Sequence, residues 1–122
     1  MAAPNIINAT SIYGKTMGAA LGTSENTQIL VCPGNKVLKI NSIIVANIDG
    51  TNAADATIKF YDSSAPAAYH IAKTVTVPGD STLVVIGKDS PIFLEESDEI
   101  RGGASAASDL EIIISYEELD DA

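Results

Sequence analysis

Apolar and polar residues alternate along most of the chain, and turn-forming clusters interrupt the alternation every ~8–12 residues. Side chains of a strand point to its two faces in turn, so this period marks strands with one buried face. The first strand runs from Ser11 to Met17, and its continuation Gly18-Ala19-Ala20-Leu21-Gly22 reads equally as strand or loop. Met17 to Leu21 has some helical propensity, which Gly18 and Gly22 weaken. Thr23-Ser24-Glu25-Asn26 is a turn. Thr27 to Cys32 is the next strand, ended by Pro33-Gly34-Asn35, where Pro presets φ and Gly or Asn accepts positive φ. Lys36 to Ile48 is the longest strand, with Leu38, Ile40, Ser42, Ile44, Ala46 and Ile48 expected on one face. Lys39 and Asn41 fall on the other, followed by Ile43 and Val45. Its second half is therefore expected to be covered on both sides, by an N-terminal arm or a neighbouring subunit.

Asp49-Gly50-Thr51-Asn52 reads as a hairpin turn. Ala56 to Asp62 follows, with Ile58 and Phe60 inward and Lys59 and Tyr61 outward. Beyond the loop Asp62 to Pro66, a strand from Ala68 to Val77 sets Tyr69, Ile71, Lys73, Val75 and Val77 against His70, Ala72, Thr74 and Thr76. Pro78-Gly79-Asp80 is a turn, Thr82 to Ile86 reads as a buried strand, and Pro91 to Leu94 is short. Ile100 to Ala104 is a weak strand, which Gly102-Gly103 should loosen or bulge. Leu110 to Tyr116 closes the fold, and the acidic residues from Glu117 onward are expected to fray.

These are about eight strands with no helical period over two or more turns. The fold class is all-β, an antiparallel β-sandwich of the jelly-roll or Ig-like kind. A sandwich is preferred to a barrel because near-continuous apolar strands such as Thr82 to Ile86 need a facing sheet. The expected organisation is an extended N-terminal arm over residues 1–10, a sandwich domain over 11–117 and an acidic tail over 118–122.

Composition narrows the function. A chain of 122 residues suits one domain, and with 5% aromatics and no Trp its core must be aliphatic. Seven basic residues against sixteen acidic ones give a net charge of −9, which disfavours nucleic acid and anionic membranes and suits a basic partner or simple solubility. Cys32 is the sole cysteine, so no intramolecular disulfide forms, and its apolar setting reads as core. Met1 to Asn5 has neither the basic nor the apolar region of a secretory signal, and no run approaches the ~18 apolar residues of a membrane span. Synthesis in a cytoplasm is expected.

Candidate chemistry is sparse. His70 is the only histidine, with no Gly-x-Ser-x-Gly elbow and no His-Glu-x-x-His around it, and it reads as a solvated or interface side chain. One His and one Cys cannot build a structural zinc site within one chain. The acidic turns at Glu95, Glu96, Asp98 and Glu99, and at Asp49, Asn52 and Asp55, offer calcium-type oxygen ligands, but neither has the EF-hand pattern. The expectation is no enzyme, no cofactor and no resident metal. Scarce aromatics count against a glycosidase or a lectin, though Tyr13, Tyr61, Tyr69 and Tyr116 can still serve. Tyr61 and Tyr69 flank one loop and are interface candidates, because tyrosine carries large contact area at low entropy cost. Ile6 and Ile7, an apolar pair between Asn residues, are the candidates in the arm.

Three segments carry a resemblance. Lys39 to Thr51 (KINSIIVANIDGT), Val77 to Ile86 (VPGDSTLVVI) with Pro91 to Glu96 (PIFLEE), and Ala104 to Glu118 resemble small structural proteins of tailed bacteriophages, especially those of marine cyanobacteria. The similarity runs from about Ile6 to Glu118, and Ile100-Arg101-Gly102-Gly103-Ala104 departs from it, where an alternating strand is usual. It implies a virion component with no catalytic residues. The implied role is a capsid decoration or cement protein on the capsid surface, bound to the major capsid protein or another virion protein. A homo-oligomer is implied, with a trimer favoured by the quasi-threefold sites of shells. Its arm, with Ile6 and Ile7, would cross to a neighbour or to the shell. A neck, tail or fibre component is the alternative within this class. A lectin-like or calcium-dependent binding module is the alternative outside it.

Overall fold

The computed structural model describes residues 11–120. Among them are nine strands and no helix. They are β1 (Ser11–Ala20), β2 (Gln28–Val31), β3 (Lys36–Asn47), β4 (Ala54–Asp62), β5 (Ala67–Val77), β6 (Thr82–Ile86), β7 (Ile92–Leu94), β8 (Glu99–Ala104) and β9 (Leu110–Asp120). They answer to the about eight expected, and β6 and β7, separate segments in the sequence, both pair with β3.

Two antiparallel sheets face each other. Sheet A has the order β1-β9-β3-β6, with β7 also beside β3, and sheet B the order β2-β8-β4-β5. The pairing has a simple logic. The first half of the chain pairs with the second in reverse: β1 with β9, β2 with β8, β3 with β7 and β6, and β4 with β5. That ribbon is then rolled so that β3 also meets β9 and β4 meets β8. This is the jelly-roll arrangement of a β-sandwich.

The core is aliphatic, as the composition requires. Leu38, Ile40, Ile43, Val45, Ile112 and Ile114 of sheet A pack with Ile58, Ile100 and Ala56 of sheet B, all essentially inaccessible to water. Cys32 is a buried free thiol in the same cluster, whose Sγ lies 3.2 Å from the Lys36 carbonyl. Burial raises its pKa to about 11.

Four local expectations are corrected. First, β3 shifts register between Ile40 and Ser42, so an extra residue at Asn41 reverses the alternation. Ile43 and Val45 are therefore the buried residues, while Ile44 and Ala46 turn outward and stay half-buried. Second, Asp49 to Asn52 is no hairpin, because β3 and β4 belong to different sheets. It is a corner, in which Asp49 accepts the backbone N–H groups of Thr51 and Asn52 at 2.8 and 3.2 Å. Third, β6 is not buried on both faces: Val84 is 62% exposed. Fourth, the chain after Tyr116 stays in β9 through Asp120, where Glu118 is buried beside Lys15 and Lys36. The domain thus extends past the boundary expected at residue 117, and the 118–122 tail is strand over its described part.

β8 is neither loosened nor bulged on its β4 side. A Cβ on Gly102 would stand 2.7 Å from Ile58 Cδ1, and one on Gly103 would stand 2.5 Å from the Ser24 carbonyl oxygen. The two glycines face opposite ways. One admits the core, and the other admits the backbone of the β1–β2 connection laid over the sheet.

Candidate interaction surfaces

The four outward surfaces follow from the two-residue period and the bulges. The outer face of sheet A carries an apolar row across four of its five strands. Val84 of β6 stands opposite Ile44 of β3, Ile44 opposite Ile113 of β9, and Ile113 opposite Gly18 of β1. Val84 and Ile113 are exposed at 62% and 40%. Small or hydroxylated residues flank the row. On one side Ser42 pairs with Ser115 and Ser115 with Thr16, whose hydroxyls lie 3.3 Å apart. On the other side Ala46 pairs with Glu111 and Glu111 with Ala20. The result is a strip with an apolar centre, bordered by hydroxyl side chains on one side and by two alanines and the exposed Glu111 on the other.

The outer face of sheet B is polar and partly roofed. Lys59 points outward as expected, yet it is buried, because the β1–β2 connection folds over it. Its Nζ pairs with Glu25 at 3.0 Å and donates to Asn26 Oδ1 at 3.0 Å. The Lys59 ammonium holds the Glu25 carboxyl below its ordinary pKa. Arg101 lies over the Tyr61 ring at 3.7 Å and donates from Nε to Glu99 at 2.8 Å, an arrangement that raises its own pKa.

Beside this roof is a polar hollow of about 220 Å³ lined by Thr23, Glu25, Asp55, Thr57, Thr74 and Ser105. Thr74 sits at a φ of 52°, in the left-handed region where a β-branched residue is strained. Its N–H donates to Thr57 Oγ1 at 3.0 Å, and it lies where β5 gains an extra residue against β4. Asp55 accepts the Thr76 hydroxyl at 2.7 Å.

The fourth surface is an apolar cleft of about 250 Å³ between the edge strands β5 and β7. Phe60, Tyr69, His70, Ile71, Ile92 and Phe93 line it. Phe60 and Tyr69 are cross-strand partners with stacked rings 6.5 Å apart. Both phenylalanines of the chain and its sole histidine meet here. Sequence reading had no means to find this, because the six residues come from three strands of two sheets.

Tyr61 and Tyr69 are not brought together. Tyr61 pairs with Ala68 and lies under Arg101, whereas Tyr69 pairs with Phe60 and is 56% exposed at the cleft. His70 is exposed on β5 opposite Lys59. Ile6 and Ile7 lie outside the described residues.

The acidic turns are occupied by structural bonds. Asp98 is buried and accepts the Ser63 N–H at 3.0 Å, the Ser63 hydroxyl at 3.2 Å and the Glu95 N–H at 3.0 Å. Glu96 accepts the Asn35 N–H at 2.9 Å, and Glu99 is paired with Arg101. The N–H groups of Thr51 and Asn52 keep Asp49 below its ordinary pKa. Among the described residues no group of three or more His, Cys, Asp or Glu side chains is placed to hold a metal ion.

No protein-family model matches the chain, and no curated protein matches it significantly.

Proposed function

We propose that the chain is a structural subunit of a bacteriophage virion, a capsid decoration or cement protein that seats on the outer shell through the outer face of sheet A. The observation that carries this reading is the row Val84–Ile44–Ile113. These apolar side chains, on three neighbouring strands, point away from the core, where burial within the chain gives no reason for them. Contiguous outward apolar surface rimmed by polar residues, here Ser42, Ser115 and Thr16 on one side and Glu111 on the other, is characteristic of protein contact sites. The rolled sandwich supports the reading physically: its strands are held by long-range pairing, and jelly rolls recur in viral shells. The phage assignment itself rests on the resemblance of the three segments above. A neck, tail or fibre position is the alternative within this reading, and copy number per particle separates the two.

The test is binding of the purified protein to shells that lack it. Val84→Lys and Ile113→Lys place charges in the strip without touching the core. Loss of shell binding in both, with thermal stability kept, is the expected result. Binding at the parent level by both variants removes this face from the proposal. The arm makes a separate contribution in this reading: deleting Met1 to Asn8 should weaken shell binding and leave the domain folded.

A second reading is favoured by the aromatic cleft. Three rings around a space of about 250 Å³ suit a sugar ring or an apolar anchor side chain, as in a lectin-like binding module. A glycan-array signal lost in Tyr69→Ala would put that reading first.

A further inference from the structure

Every open sheet has two edges, and an unprotected edge pairs with other chains. In this molecule three of the four edges are blunted by identifiable devices. β2 is only 4 residues long and shifts register between Gln28 and Leu30. β5 shifts register twice against β4, bends at the positive φ of Thr74, and carries Lys73 and His70. The β6/β7 edge is broken into strands of 5 and 3 residues with Pro91 between them.

β1 has none of these. It is 10 residues long, it runs in unbroken register against β9 from Ser11 to Ala20, and it contains no proline. Its single charge, Lys15, is bonded to Glu118 at 3.2 Å. Among the described residues no strand lies on its other side.

We infer that β1 is a self-pairing edge, and that two copies join antiparallel along it into one continuous sheet. The occupant is argued from the strand's own sequence. Directly opposite residues of an antiparallel pair point to the same face. A twofold axis normal to the sheet must therefore pass midway between one residue of β1 and the same residue of the second copy. An axis at Lys15 would oppose two ammonium groups, which is destabilising. An axis at Gly14 or Met17 pairs fewer residues. An axis at Thr16 pairs Ile12 through Ala20 and opposes no like charges. It sets Thr16 against the second copy's Thr16, Lys15 against Met17, Gly14 against Gly18 and Ile12 against Ala20. Gly14 and Gly18 put no side chain at the seam, and the outer apolar strips of both copies then lie on the same face of the joined sheet. This goes beyond shell docking, because it concerns an edge and not a face. It gives a twofold pair, in place of the threefold set that the resemblance suggests.

The register makes a sharp test. Opposed Cα atoms in an antiparallel pair lie ~4.5–5.5 Å apart, within the span of a disulfide. Full-length Thr16→Cys should therefore form a covalent dimer under mild oxidation. The parent protein should not, because its only thiol, Cys32, is buried. Sedimentation of the parent from low to high micromolar should show the mass doubling with concentration. Thr16→Lys, which opposes two cations on the axis, should abolish the doubling. Thr16 is exposed, so both variants should fold, and a thermal melt of each should match the parent. A parent that stays monomeric throughout overturns the inference. So does a dimer that survives Thr16→Lys and fails to cross-link through Thr16→Cys. Either failure leaves the shell-docking reading standing, since that reading is tested on Val84 and Ile113.

Discussion

Adding one methyl group at Gly103 should cost far more than the same change at Gly14, although both are strand glycines of one fold. Neither has a positive φ, so alanine is allowed by the backbone at both, and the difference is purely steric. At Gly14 a Cβ meets nothing within 4 Å. At Gly103 it would stand 2.5 Å from the Ser24 oxygen, 2.6 Å from the Ser24 carbonyl carbon and 2.9 Å from the Glu25 nitrogen. All three are backbone atoms, so no side chain can swing away. The connection must lift, and lifting it also pulls Glu25 and Asn26 from the buried Lys59. Overpacking of this kind costs ~1–3 kcal/mol, and backbone contacts place Gly103→Ala at the upper end. Replacing a strand glycine returns ~0.5–1 kcal/mol. The net expectation is a loss of about 2 kcal/mol for Gly103→Ala and a gain of ~0.5–1 kcal/mol for Gly14→Ala. At ~4 °C per kcal/mol for a chain of this size, their melting temperatures should differ by roughly 10 °C. Differential scanning calorimetry of the two variants beside the parent reads this directly. Equal melting temperatures would mean that the connection does not rest on Gly103, and the account of the glycine pair would be wrong.

Other expectations test other parts of the structure. Asp98→Ala leaves the Ser63 and Glu95 N–H groups without their acceptor, and chemical denaturation should show a loss of about 2–3 kcal/mol. Cys32, with its pKa raised to about 11 and its side chain in the core, should resist a thiol reagent at mildly alkaline pH and react at once in guanidinium; fast labelling of the native protein would contradict its placement. Acidification should destabilise the fold through carboxyls held below their ordinary pKa values, Glu25 by Lys59 and Asp49 and Asp62 by turn hydrogen bonds. Their contribution is present above the ordinary values of 4.5 and 3.8 and is lost as pH falls through the lowered ones. Lys36 works in the opposite sense: Glu118 raises its pKa above 10.5, so its contribution holds below that value and fades as pH climbs through the raised one. A melting temperature that climbs steadily as pH drops below 4.5 would contradict the acid side of this expectation.

The architecture was legible because a period of two survives in almost every strand. Ile58 and Phe60 against Lys59 and Tyr61, or Leu110, Ile112 and Ile114 against Glu111, leave little choice of element. What the pattern hides is where the count slips. Asn41 is the extra residue in β3, and a polar residue at a bulge looks the same in sequence as one on an outward face. The faces of Ile43 to Ala46 were reversed for that reason. β6 reads as buried because an apolar residue signals burial without saying against what. Val84 is turned to the outside, where the proposal gives it a partner. Gly102 and Gly103 read as weakness, since sequence shows a missing side chain and not the Ile58 and Ser24 atoms that fill its place. The apolar strip and the cleft are both assembled from strands far apart in the chain, so neither has a linear signature. Of the residues that line either, only Tyr69 and His70 stand out in the sequence.

The claim that this is a virion subunit is tested most directly by quantitative mass spectrometry of purified phage particles from the source, counting this protein against the major capsid protein. Hundreds of copies per particle are expected for a decoration protein of the shell. Absence from washed, intact particles would contradict the claim.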